Sequence, residues 1–165
     1  MLLGAVIASM YGAIHDQISY TISPEYFTKY KFFQFSYADF SLPDRVYASI
    51  VGVLATAWFG VLCGWYLGRI RYYSDDLMSA KKDILSGFYV VFSLALLASV
   101  VGGVVGCLSV NYFTSNVFLG WEEVLTLNEL KFFIIVGYIH AAGYIGGFSG
   151  IIYSSYLIKK KMKAA

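Results

Sequence analysis

Along the chain, apolar positions gather into four long blocks, residues 2–22, 46–70, 84–113 and 130–157, separated by short polar stretches. A membrane's hydrocarbon core takes roughly 20 helical residues to cross, and every block is long enough. The pattern predicts an all-α fold: a four-helix transmembrane bundle forming one domain over residues 1–165, with a short interfacial aromatic helix between the first and second spans. That interfacial segment covers about 24–37, where Tyr26, Phe27, Tyr30, Phe33 and Tyr37 recur at helical spacing among Glu25, Thr28, Lys29 and Gln34. A strand is the alternative for "KFFQFSY", whose aromatics alternate with polar or small residues.

Capping residues mark the helix starts. "SPEY" offers Ser23 as N-cap with Pro24 at the first helical position, "SLPD" pairs Ser41 with Asp44, "SDDL" sets Asp75 and Asp76 after Ser74, and "TLNE" pairs Thr126 with Glu129. The second block carries a small residue at every fourth position: Ala48, Gly52, Thr56, Gly60, Gly64 and Gly68. Shorter stripes run through Gly4, Ala8 and Gly12, through Ala98, Gly102 and Gly106, and through Gly143 and Gly147. In lipid, such stripes let helix backbones approach closely. Packing within one bundle is the simplest use; an oligomer seam or the lining of a narrow path is the alternative.

Composition agrees with a membrane protein: 59% of the 165 residues are hydrophobic and 13% charged, where soluble domains carry about 25% charged residues. The net charge of +2 hides a sorted distribution. Arg69, Arg71, Lys81 and Lys82 lie in the 71–83 connection or at its edge, and Lys159, Lys160, Lys161 and Lys163 in the 158–165 tail. The positive-inside rule puts both segments, and hence both termini, in the cytoplasm. No Lys or Arg precedes the first block and no small-x-small site precedes His15, so the first helix reads as retained rather than as a cleaved signal. Cys63 and Cys107 sit at depths that differ by more than about 20 Å, which excludes a disulfide between them.

Ionisable residues inside a membrane are costly and mark function. Counted from the cytoplasmic helix ends, His15 stands roughly 20 Å and His140 roughly 26 Å up, so both occupy the outer half at comparable depth. Two histidines at one level suit a metal ion, or a haem iron held from both faces. The candidate metal ligands are His15, His140 and Glu122. The wider ligand-binding set is His15, Asp16, Gln17, Glu25, Tyr26, Thr28 and His140. A proton-linked role, or an imidazole that only satisfies a hydrogen bond, uses the same positions. Asp16 has a further structural reading: the free amides at the capped start after Ser23 attract its carboxylate and fold the interfacial segment back as a lid. No GxSxG elbow, glycine-rich phosphate loop, HExxH pair or CxxCH haem attachment occurs. The lysine tail suits anionic lipid better than nucleic acid.

The run Tyr11 to Thr28, "YGAIHDQISYTISPEYFT", resembles the N-terminal signature of an uncharacterised family of small bacterial four-helix integral membrane proteins, a first helix ending in HDQ followed by EYFT. The resemblance implies a multi-pass protein of the bacterial inner membrane and points at His15, Asp16, Gln17, Glu25, Tyr26, Phe27 and Thr28 without giving them roles. Two functions are open on the sequence. One is an outward-facing polar pocket binding a small ligand, metal or haem. The other is a non-catalytic assembly or channel-like subunit, a homo-oligomer or part of a larger membrane complex, with the stripe Gly52, Thr56, Gly60, Gly64 and Gly68 as its contact.

Overall fold

The computed structural model describes residues 1–72, 76–112 and 120–164, apart from the side chains of residues 111, 112, 122 and 164. Among the described residues every regular element is helical: α1 (Leu2–Ile22), α2 (Pro24–Tyr26), a wide π turn (Phe27–Lys31), α3 (Phe32–Gln34), α4 (Asp44–Ile70), α5 (Leu77–Tyr112) and α6 (Leu127–Ala164), with single 3-10 turns at Ser36–Ala38 and Trp121–Glu123. Three helices are long and apolar enough to cross a membrane, over Asp44–Ile70, Leu77–Val110 and Leu127–Lys163. The protein is thus a helical membrane protein. α1 has the length but is not one of the three, because His15, Asp16 and Gln17 dilute its apolar run.

α5 and α6 overrun the apolar blocks that announced them. α5 begins seven residues ahead of position 84, started by Asp76, whose carboxylate accepts from the amides of Met78 (2.9 Å) and Ser79 (3.1 Å). The expected caps Ser74 and Asp75 lie outside the described residues, as does Phe113. α6 opens on the expected box: Glu129 accepts from the Thr126 amide at 2.7 Å, and the Glu129 amide reaches back to the Thr126 hydroxyl at 3.4 Å. It then continues through the lysine tail to Ala164, since lysine is a good helix former in water. The connection expected over 71–83 and the tail expected over 158–165 are therefore largely helix.

Ser41 does not cap α4. Its amide bonds to Asp39 Oδ1 (2.9 Å) and its own φ is +55°, a left-handed turn, while Pro43 leads into Asp44 without a side-chain cap. Ser23 does cap: its hydroxyl accepts from the Tyr26 amide at 3.3 Å. The strand alternative for 31–37 is overturned, since the π turn and α3 occupy that stretch.

Packing is dominated by two helix pairs, α1 on α4 and α5 on α6. The small-residue stripes are where each pair meets. A Cβ on Gly60 would strike the Gly4 carbonyl, and one on Gly52 the Gly12 carbonyl. Thr56 Oγ1 donates to Ala8 O at 2.7 Å across the same seam. In the second pair, a Cβ on Gly102 would come within 2.5 Å of Tyr138 O, and one on Gly150 within 2.7 Å of Val91 Cα. The α4 stripe is thus consumed inside the chain, and the seam to another copy expected of it is not available at Gly52 or Gly60. Gly68, counted in that stripe, meets nothing within 4 Å among the described residues: it lies past Gly64, which faces Met1.

At the lysine end, Asp83 of α5 is buried between Arg71 (Nε to Oδ2, 3.2 Å) and Lys161 of α6 (Nζ to Oδ1, 2.5 Å). At the other end the segment from Ser23 to Ala38 folds over the helices. The π turn adds a residue per turn, and Phe27 and Lys31 are both buried within it. Tyr26 and Phe27 anchor a core with Leu130, Phe133 and Val136 of α6.

Candidate functional site

The polar run that closes the apolar part of α1 turns inward. Asp16 and His140 are buried, at 4% and 5% exposure, and His15 is half-buried beside them. The helical spacing of α1 sets Asp16 on the same inward face as Ala8, Gly12 and Ser19. His140 is delivered by α6, flanked by Gly137, Ala141, Ala142 and Gly143, whose small side chains leave it room.

The two imidazoles meet edge to face with ring centroids 4.8 Å apart. His15 Nδ1 lies 3.3 Å from Asp16 Oδ1, and His140 Nε2 lies 3.8 Å from the same oxygen. The second distance is too long for a hydrogen bond, and His140 Nε2 is a buried nitrogen with no hydrogen-bond partner among the described residues. Unpaired buried polar atoms are rare, since each costs about 1–3 kcal/mol. One donor atom from each of His15, Asp16 and His140 falls within 4.8 Å of the others. A tetrahedral zinc with bonds of about 2.0–2.1 Å needs donors about 3.4 Å apart, so rotations of these side chains by about an ångström close the set around one ion.

The surroundings orient the set. Ser99 Oγ of α5, itself buried, lies 3.5 Å from His15 Nε2, leaving Nδ1 to face Asp16. Tyr11 stacks on His15 at 5.6 Å. Tyr26 of the lid lies nearly parallel to His140, centroids 5.1 Å apart, with Phe27 edge-on at 6.2 Å. Burial pushes the Tyr26 phenol above its usual range, so it stays protonated and acts as a roof rather than as an anionic ligand. A cavity of about 70 Å³ adjoins the three side chains, lined also by Thr56, Phe92 and Gly143. It has room for a few waters.

That volume does not suit haem. The imidazoles touch edge to face with Asp16 beside them, and a macrocycle sandwiched between axial histidines needs their rings on opposite sides of an open slot. Of the two expected occupants, a single ion fits these donors better than a haem.

Of the other expected site residues, only Tyr26 joins the cluster. Gln17 faces α4: its amide nitrogen donates to Arg45 O (2.5 Å) and to Ser49 Oγ (2.8 Å), and Arg45 returns a bond to Gln17 Oε1 (3.3 Å). It clamps α1 to α4. Glu25 accepts from the Ser23 hydroxyl at 3.2 Å, and Thr28 is exposed. The Glu122 side chain lies outside the described residues. Asp16 does not reach the amides after Ser23, because it points at the histidines; the lid is held by Tyr26 and Phe27 instead. The sequence reading passed over Ser99, a lone hydroxyl in "LASVVGG", and Lys31. No family model, no curated protein and no solved structure matches this chain.

Proposed function

We propose that this chain is a four-helix integral protein of a bacterial inner membrane, both termini cytoplasmic, that holds a divalent transition-metal ion between His15, Asp16 and His140 beneath an outward-facing lid. The four-span reading rests on α1 running along α4 for its whole length and sharing its buried seam. The orientation rests on the lysines of the tail and of early α5, and the HDQ and EYFT signature carries the bacterial assignment.

One observation carries the metal: His140 Nε2 is buried, unpartnered and aimed at a carboxylate 3.8 Å away. Two neutral imidazoles and one carboxylate suit zinc or ferrous iron and leave coordination positions open for water or a small ligand. The carboxylate offsets half the charge of the ion in a medium where an unpaired ion is costly. The glycine stripe gives no comparable support to an assembly subunit, because both of its central glycines are already in contact with α1.

The test is metal analysis of detergent-purified protein, as isolated and after incubation with zinc or anaerobic ferrous iron. About one ion per chain is expected, lost in His140→Ala and in His15→Ala while helicity by circular dichroism is kept. A wild-type chain that remains metal-free after both incubations overturns the proposal.

A further inference from the structure

A second polar feature adjoins His140 and Tyr144. Lys31, in the π turn of the lid, is 94% buried, since its exposure is 6%. Its ammonium has no carboxylate within ion-pair distance among the described residues. It meets the Tyr144 hydroxyl at 3.4 Å and stands 5.9 Å from the ring centroids of both Phe35 and Tyr144. A buried cation left with a phenol oxygen and two ring faces lacks the anion that normally offsets such burial.

The ammonium faces a groove of about 510 Å³ running between α4 and α6 under the lid, with Tyr30, Gln34, Trp58 and Tyr144 among its walls. That is the size of an ordinary ligand site. The groove opens sideways: Trp58 is 54% and Tyr144 46% exposed, on faces that meet lipid if α4 and α6 span the membrane. Polar groups sit at the lid end, Lys31 with Gln34 and Tyr30, while the walls below are mostly aromatic and apolar apart from His140.

We infer that this lateral groove binds the headgroup of an anionic phospholipid, its phosphate on Lys31 and its acyl chains along Trp58 and Tyr144. The charge supplies the phosphate preference, and the sideways opening favours a lipid over a free anion. The inference does not rest on the metal: the groove shares His140 with the proposed ion site, but Lys31 and the sideways opening are in place without an ion.

Native mass spectrometry of the detergent-purified chain tests it, with phosphatidylglycerol, phosphatidylethanolamine or inorganic phosphate added. One phosphatidylglycerol per chain is expected to be retained in preference to phosphatidylethanolamine, and inorganic phosphate is expected neither to bind nor to displace it. Lys31→Met should weaken that preference roughly tenfold or more, in keeping with a lost bond to a charged group. Lys31→Arg should keep it, and so should Lys29→Met, which removes an exposed lysine from the same turn. Equal retention of the two lipids by wild type, or an unchanged preference in Lys31→Met, overturns the proposal. So does equal loss in Lys29→Met, which reports surface charge alone, and so does tight binding of inorganic phosphate. Should Lys31→Met fail to fold, the wild-type comparison of the three ligands decides.

Discussion

His15 and Ser99 show how much a single hydroxyl can decide. With Ser99 Oγ at 3.5 Å from Nε2, the Nε2-protonated tautomer has an acceptor, and Nδ1 keeps its lone pair for whatever lies beside Asp16. Partners of this kind orient a metal-binding histidine and typically change affinity by ten- to a hundredfold. Ser99→Ala should therefore weaken metal binding by roughly that factor in a chelator-competition titration, while the chain keeps its thermal stability within about 1 kcal/mol. The shared depth of His15 and His140 was legible in the sequence, because helix rise converts residue count into depth; that the two rings touch was not. Ser99 was not legible. Its direction depends on the rotation of α5, which a nearly uniform apolar helix does not encode. Lys31 escaped for a related reason: a lysine in an aromatic belt reads as an exposed anchor unless one knows that a π turn buries it.

Among the helices, the glycines of α4 carry opposite expectations at positions that look alike in sequence. Replacing a helical glycine by alanine ordinarily stabilises by about 1 kcal/mol. At Gly60 the new methyl would strike the Gly4 carbonyl, backbone that cannot swing aside, so Gly60→Ala should destabilise by about 1–3 kcal/mol. At Gly68 no described residue lies within 4 Å, and Gly68→Ala should change stability by no more than about 1 kcal/mol, in the favourable direction. Equilibrium unfolding in mixed detergent separates the two. The stripe itself was evident from its spacing of four. Where it stops being used was not, because that depends on where α1 begins opposite it. Helix ends followed similar logic: the apolar blocks outline the part of α5 and α6 suited to lipid, whereas Asp76 and the lysine tail extend the helices beyond it. Ser41 misled because Asp39, two residues earlier, captures its amide for a turn.

For the molecule as a whole, two helix pairs are tied together at both ends by different means. The lid joins them through Tyr26, Phe27 and Lys31. At the lysine end the tie is Asp83, 5% exposed at its side chain, set between Arg71 and Lys161. Breaking a buried pair leaves the other charge uncompensated, so Asp83→Ala should cost about 3–5 kcal/mol. Lys161, 60% exposed at its side chain, should matter far less: Lys161→Ala should cost about 1 kcal/mol or less. Denaturant unfolding of the two variants checks the ordering. One further property of the whole follows from α1. With His15, Asp16 and Gln17 in its run it lacks the uninterrupted apolar stretch of the other three long helices. Its groove-mate α4, apolar between Arg45 and Arg69 and studded with the matching glycines, is made later. On the proposed four-span reading, α1 and α4 should enter the membrane together as a hairpin, with α4 shielding the polar residues of α1 from the moment of insertion.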